Sequence, residues 1–448
     1  MNKTSSIVIR AMGLFGSLQM LNILCGVIRI KIIALLLGTV GVGLFAIFNS
    51  ALTMISAVTQ LGLRESAVRT IASASDPEER DGRVITTRRW GFLLGLFGMA
   101  VTLVLSPVLS ITAFGDLTHT WLYMLLAIPV LLLAGSASEV AILQGTGRLR
   151  HMARASVTGA LTGLLLGVPA VYFLRLHSIL PVLAIYALAG YAGTLCYRYT
   201  PPRPAGPRPT LARLWADGSP MLRLGAYMTL ATVVTEAVNY LFIAFLNLTG
   251  GTGNVGIYQA GYTIVIRYAG MLFTAIAVEY YPRLASNCSR PWRQRVFVNH
   301  EMRLLFLLLT PALMVLTPLL PIVVKLLYSS QFLGAVPFML WAMPSMLLQS
   351  FSLCVAYLIL ARGEGRLFAV TETVSAVASL LLHIAGYTLG GMAGLGIGFT
   401  AGYAIYALIM WRVYRHRYGY RLPTRVGLLL GAGLLLTTLT ATLCHYLA

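Results

Sequence analysis

The chain has 448 residues, of which 58% are apolar and only 10% charged, and its mean hydropathy is +0.81. Soluble domains carry about 25% charge, so this composition excludes a soluble core and requires a lipid bilayer as solvent. The net charge of +20 would suit nucleic acid, but in a membrane chain the positions of the basic residues decide what their sum means.

From the N-terminus, MNKTSSIVIR has the look of a signal n-region. The apolar stretch behind it runs past Leu37 without a small-residue cleavage site, which predicts a retained first span. Hydropathy between charged or Gly/Pro breaks then predicts helices near 11–38, 41–62, 90–114, 121–144, 153–175, 178–198, 221–246, 256–281, 302–327, 335–360, 367–389, 391–411 and 425–447. Alternate connections are rich in arginine: 64–89, 148–154, 198–223, 283–303, 362–366 and 412–425. Those between them (GTVGVG, FGDLTHT, NLTGGTGNVG, YSSQFLGAV, LGGMAG) are nearly bare, with Arg175 the one break in the pattern. The positive-inside bias therefore predicts a multi-pass protein whose N-terminus and basic loops face the cytoplasm. It explains every basic loop without a nucleic-acid partner. Trp90, Trp121 and Trp411 fall at predicted span ends, and the five scattered cysteines form no CxxC pair.

Two strings recur. ILQGTGRL (142–149) ends the fourth span and ILARGEGRL (359–367) the tenth, while GVGLF (41–45) opens the second and NVGIY (254–258) the eighth. Six spans is an even number, so two copies share one orientation, the parallel-repeat plan of some transporters. The expected division is an N-terminal lobe of spans one to six (1–205), a C-terminal lobe of spans seven to twelve (206–420) and an additional C-terminal span (421–448). The Pro- and Arg-rich TPPRPAGPRPT (200–210) would link the lobes.

Polar residues inside spans are costly and tend to face a cavity or a partner. Gln19, Asn22, Gly26 and Arg29 share one face of span one, and Asn49, Thr53, Ser56 and Gln60 one face of span two. Thr229, Thr232, Glu236 and Asn239 share a face of span seven, and Thr263, Arg267, Gly270 and Thr274 one of span eight. A hydrated cavity bordered by these spans would hold Arg29 and Arg267 against Glu236, read as the single mid-span acid, and would suit an anion. Glu236 is the candidate for ion coupling. Competing readings are an Arg267–Glu236 structural ion pair and snorkelling of Lys31 to the interface. No lysine follows a glycine, so the GxxxxGK[ST] phosphate loop is absent. No HExxH occurs, no metal cluster is evident, and no loop exceeds about 30 residues. No catalytic residue, metal or cofactor is expected.

The segments RIKIIALLLGTVGVGLFAIFNS (29–50), VGIYQAGYTIVIRYAGMLFTAIAVEYYPRLA (255–285) and LYSSQFLGAVPFMLWA (327–342), with YLILARG (357–363), together resemble O-antigen and enterobacterial-common-antigen translocases. These form part of the polysaccharide-transport branch of the multidrug/oligosaccharidyl-lipid/polysaccharide flippase superfamily. The resemblance implies an all-α membrane protein of 12–14 transmembrane helices in two parallel six-helix lobes, the MATE-like flippase fold, around a central cavity. It implies a transporter rather than an enzyme, one that moves undecaprenyl-pyrophosphate-linked glycan from the cytoplasmic to the periplasmic leaflet by alternating access. Arg29, Arg267 and Lys31 would bind the pyrophosphate. Lys31 matches a basic position of the family, and Gln19, Asn22, Asn49, Thr53, Ser56, Gln60, Thr232, Asn239 and Thr263 would line the cavity. Partners would be membrane lipids and other polysaccharide assembly proteins. The rival readings are a cation-coupled multidrug exporter of the same superfamily, expected to carry an acid on span one where this chain has Arg29 and Lys31, and a membrane-embedded glycan polymerase.

Overall fold

In the computed structural model, residues 3–201, 211–268, 270, 273, 280–281, 283–287 and 290–447 are described; the side chains of 3–20, 211–214, 216–217, 224, 227–228, 267–268 and 447 are not. The expected linker lies outside the described residues from 202 onward. No strand occurs among the described residues, as hydrocarbon demands of a chain that must satisfy its own backbone groups.

The helices are α1 (Lys3–Thr59), α2 (Leu63–Ala72), α3 (Pro77–Phe114), α4 (Thr120–Leu125), α5 (Ala127–Gly145), α6 (Leu149–Leu174), α7 (Ile179–Cys196), α8 (Leu211–Tyr262), α9 (Pro291–Leu327), α10 (Val336–Ala342), α11 (Ser345–Ala361), α12 (Gly365–Arg412) and α13 (Thr424–Leu447). Eight helical stretches among the described residues are long and apolar enough to cross a membrane, and the bent pair α10–α11 makes nine. Several are about twice the ~20 residues a crossing needs; α3 and α9 run unbroken, and a break divides each of the others. α1 turns at Gly38, α8 at Gly251 and α12 at Gly390–Gly391, while a 3₁₀ turn, Arg175–Ser178, separates α6 from α7. The breaks at Gly38, Gly251 and Gly390–Gly391 fall in the lysine- and arginine-free connections. The expected segments are therefore present, with 256–281 described only in part. The last of them is α13.

The internal duplication is visible in the backbone. Gly38 (φ 64°, ψ −159°) and Gly251 (φ 78°, ψ 164°) adopt one conformation, reserved for glycine, at equivalent points of GTVGVGLF and GTGNVGIY. At the end of α5, Gly147 (φ 73°) closes a Schellman cap in which Arg148 N–H bonds Leu143 O at 2.8 Å and Gly147 N–H bonds Gln144 O at 3.0 Å. At the end of α11, Gly363 (φ 74°) closes the same cap, with Glu364 N–H on Ile359 O at 3.2 Å and its own N–H on Leu360 O at 3.0 Å. The cap pairs Gly147 with Gly363, two residues before the Gly365 that string similarity would choose. A third match joins Arg175 (φ 51°, ψ −132°) to Gly391 (φ 55°, ψ −137°).

By packing, the chain divides into two compact units, Met1–Gly251 and Thr252–Ala448. In the first, α1 rests on α3 and α6, α3 on α5, and α6 on α7. The packing boundary lies beyond the expected repeat boundary at 205 because the first half of α8 is fastened to α3. Tyr240 Oη donates to Leu109 O at 3.2 Å and Asn247 Nδ2 to Ala113 O at 2.8 Å. In the second unit, α9 packs on α11 and α13, and α12 on α10 and α11.

Arg175 holds, with a full side chain, a conformation that its counterpart reserves for glycine, which costs on the order of 1–3 kcal/mol. Arg175→Gly is therefore expected to raise stability by about 1 kcal/mol, read as a higher midpoint of thermal unfolding in detergent. An unchanged or lower midpoint would show that the turn is unstrained.

Candidate functional site

The first unit builds a cationic locus from the glycines of α6. Gly159, Gly163 and Gly167 recur once per turn on one face. A methyl group at Gly163 would come within 2.6 Å of Tyr186 Cδ1, one at Gly167 within 2.9 Å of its hydroxyl, and one at Gly159 within 2.9 Å of Gly190 Cα. The absence of those methyl groups lets α7 close on α6 and seats the Tyr186 ring in the groove. The guanidinium carbon of Arg29, on α1, lies 4.5 Å from the centroid of that ring and 5.7 Å from that of Phe45. Two turns earlier on α1, Asn22 Nδ2 donates to Ser156 Oγ of α6 at 2.9 Å. The polar face of span one thus meets α6 and α7.

Arg29 stands nine residues before the Gly38 break, about 14 Å at 1.5 Å per residue and so close to the middle of a ~30 Å hydrocarbon layer. An arginine at that depth costs roughly 2.5–3.5 kcal/mol on insertion scales. A desolvated cation over an aromatic face recovers about 2 kcal/mol, so the two rings offset most of that cost.

The other expected residues are distributed as follows. Lys31, Asn49, Thr53 and Ser56 are half-buried on α1, as is Gln60 just beyond its end. Thr53 Oγ1 donates to Ser50 O of its own helix at 3.0 Å, whereas the buried Ser56 Oγ has no protein partner among the described residues. On α8, Glu236 and Asn239 are half-buried and Thr232 is exposed. Among the described residues Glu236 makes no ion pair. Thr263 accepts from Gln259 Nε2 at 3.4 Å. The side chains of Gln19 and Arg267 lie outside those described, so the expected Arg267–Glu236 pair does too; the backbone of Arg267 belongs to the π-helical segment Thr263–Tyr268.

Glu236 is not the single intramembrane acid. In the second unit Glu372, on α12, is half-buried and accepts a hydrogen bond from Tyr406 Oη. Further along α12, His383 stacks on Phe399 with ring centroids 3.8 Å apart, and Tyr387 Oη accepts from Asn254 Nδ2 at 3.5 Å. The signal was in the sequence, because Glu372, Ser379, His383 and Tyr387 follow i, i+7, i+11, i+15 and share one helix face. Glu372 lies six residues from Arg366, near the arginine-rich end of its span. Glu139, on α5, is buried, with its carboxylate gripped by Arg88 through Nε at 2.5 Å and Nη2 at 2.9 Å.

If the Tyr186 ring holds Arg29, the two residues are energetically coupled. A double-mutant cycle of Arg29→Gln and Tyr186→Leu, followed by chemical or thermal unfolding, is expected to give a coupling of about 1–2 kcal/mol. Tyr186→Phe, which keeps the ring face, should retain it. A coupling near zero would remove the platform.

The sequence model of a family described as polysaccharide biosynthesis protein matches residues 8–288. Among solved structures, a multidrug resistance MATE family transporter of the MOP superfamily in its inward-facing conformation has a TM-score of 0.72 at 15% identity, over 90% of this chain and 94% of that one. The lipid II flippase MurJ in an inward closed conformation has a TM-score of 0.64 at 12% identity, over 97% and 98%. A MOP superfamily transporter from Pyrococcus furiosus, described as having a binding pocket of reverse polarity, has a TM-score of 0.58 at 14% identity, over 91% and 94%. At these identities the likeness is one of fold. No curated protein sequence matches the chain.

Proposed function

This chain belongs to the polysaccharide biosynthesis protein family, and from that premise we propose that it is a flippase. On this reading it carries undecaprenyl-pyrophosphate-linked oligosaccharide from the cytoplasmic to the periplasmic leaflet of a bacterial inner membrane. The cycle is alternating access, and the product feeds synthesis of a surface polysaccharide of the O-antigen kind. The chain works as a transporter and not as a glycan polymerase.

The observation that carries the reading is the guanidinium of Arg29, held over Tyr186 at mid-span depth. An isolated charge entering hydrocarbon costs tens of kcal/mol in the ideal Born limit, so a pyrophosphate needs cationic donors along its route. Arginine offers planar, paired N–H groups that fit phosphate oxygens two at a time. Lys31, two residues on, and Arg267, in the second copy, add charge in this scheme. The uncharged positions Asn22, Asn49, Ser56 and Gln60 are of the right type for sugar hydroxyls, and the polyprenyl tail stays in lipid. The MurJ likeness is support of the same kind, since that protein is named a lipid II flippase.

In vesicles containing only this protein and a fluorescent lipid-linked oligosaccharide, Arg29→Ala is expected to slow translocation about 10- to 100-fold, the worth of a hydrogen bond to a charged group. Arg29→Lys should recover part of the rate. An unaltered rate in Arg29→Ala would overturn the assignment of the site. Lengthening of the glycan would indicate a polymerase.

One observation favours a second reading, a cation-coupled multidrug exporter: Glu372 and its Tyr406 partner place an acid inside a span. Loading the same vesicles with a cationic dye and imposing a proton gradient separates the two. The flippase reading predicts no gradient-driven dye movement, and it predicts glycan transport that persists in Glu372→Gln. If Glu236 couples transport to protons, Glu236→Gln should abolish the response to a pH gradient.

A further inference from the structure

Near the arginine-rich ends of α3, α5 and α7, wholly within the first unit, lies a cavity of about 520 Å³ that takes no part in the Arg29 locus. One end is basic. Among the described residues Arg88, Arg89 and Arg198 line it against a single carboxylate, Glu139. The other end is apolar, walled by Phe92, Leu93, Leu131 and Leu132 with Tyr191. Phe92 is 58% exposed and Leu93 is also exposed. In a membrane helix such exposure is contact with acyl chains.

Small residues bring the basic end together. A methyl group on Gly91 would lie 2.4 Å from Ser138 Cβ, and one on Gly135 2.8 Å from Tyr191 Cε2. α3, α5 and α7 therefore pack closely enough for Glu139, 3% exposed, to hold Arg88 in a bidentate pair and Arg198 Nε at 3.4 Å. Arg88 Nη2 also donates to Tyr199 O at 2.9 Å. Arg88 is thus largely committed. Arg198 is 42% exposed and its one polar partner among the described residues is Glu139, which leaves both its Nη groups available at the mouth. Glu139 cancels one of three positive charges and fixes the direction of two.

We infer that this pocket binds the phosphate headgroup of an anionic membrane lipid, with Arg198 and Arg89 on the phosphate and an acyl chain along Phe92, Leu93 and Leu131. The pocket is graded as the ligand is, charged at the interface and apolar deeper in. Arginine-lined pockets between transmembrane helices are suited to such headgroups. Glu139 acts as a positioning residue, because without it the guanidiniums would repel one another.

The test uses the purified full-length protein in detergent, titrated with phosphatidylglycerol, with phosphatidylcholine or with inorganic phosphate, and counts retained molecules by native mass spectrometry. The expected result is one phosphatidylglycerol per chain that survives the activation stripping phosphatidylcholine and is not displaced by excess inorganic phosphate. Retention should fall at least about tenfold in Arg198→Gln and recover in Arg198→Lys. A second variant, Leu132→Trp, fills the apolar end without touching a charge and should lose the same lipid, so the test survives if Arg198→Gln fails to fold. Displacement by inorganic phosphate would overturn the lipid assignment in favour of a free-anion site. Equal retention by wild type, Arg198→Gln and Leu132→Trp would overturn the proposal altogether. Glycan transport is not the readout, so the result stands apart from the flippase reading.

Discussion

Hydrocarbon tolerates neither an unpaired backbone polar group nor a bare charge, and both prohibitions shape this chain. The first makes it helical and confines its turns to the edges of the spans. Because the connections at Gly38, Gly251 and Gly391 are only a residue or two long, each reversal relies on a positive φ, where glycine is at home. The second prohibition decides what happens at Arg29. A guanidinium near mid-span needs compensation on the spot, and the groove cut by Gly159, Gly163 and Gly167 supplies it by seating the Tyr186 ring. Glycines on one helix therefore set the electrostatics of another.

The two copies of the repeat kept their turns and changed their interiors. The caps at Gly147 and Gly363 agree within a degree in φ, and the breaks at Arg175 and Gly391 within a few degrees in both angles. Inside, the first unit carries Arg29 between Phe45 and Tyr186, while the second gathers Tyr258, Phe338, Phe399 and His383 into an aromatic cluster and pairs Glu372 with Tyr406. Backbone geometry is constrained by the bilayer in both copies alike. Side chains facing the interior are free to diverge, and it is there that a substrate would be distinguished.

The fold was largely legible in the sequence because membrane constraints act on single segments: span length, loop charge and glycine breaks are all local. Arg29 was legible for the same reason, as a charge in an apolar run sharing a face with Asn22. What surrounds it was not. Tyr186 lies far along the chain, and nothing local distinguishes it from the other tyrosines; only the packing of α1 against α7 gives it a role. Glu139 shows the converse: in sequence it stands near a basic loop, and only helix packing through Gly91 and Gly135 buries it against Arg88. Charge pairing across helices is a tertiary property, and periodicity carries no trace of it. Glu372 was accessible to the same face-by-face reading that found Glu236.

The central claim is that the Arg29 guanidinium, presented by Tyr186, receives the phosphates of a lipid-linked substrate. A cryo-EM structure of the protein with undecaprenyl pyrophosphate bound measures this directly. The account predicts a phosphorus atom within about 4 Å of the Arg29 guanidinium, with phosphate oxygens on paired N–H groups. A well-ordered pyrophosphate bound elsewhere, with Arg29 still stacked on Tyr186 and touching no phosphate, would contradict it.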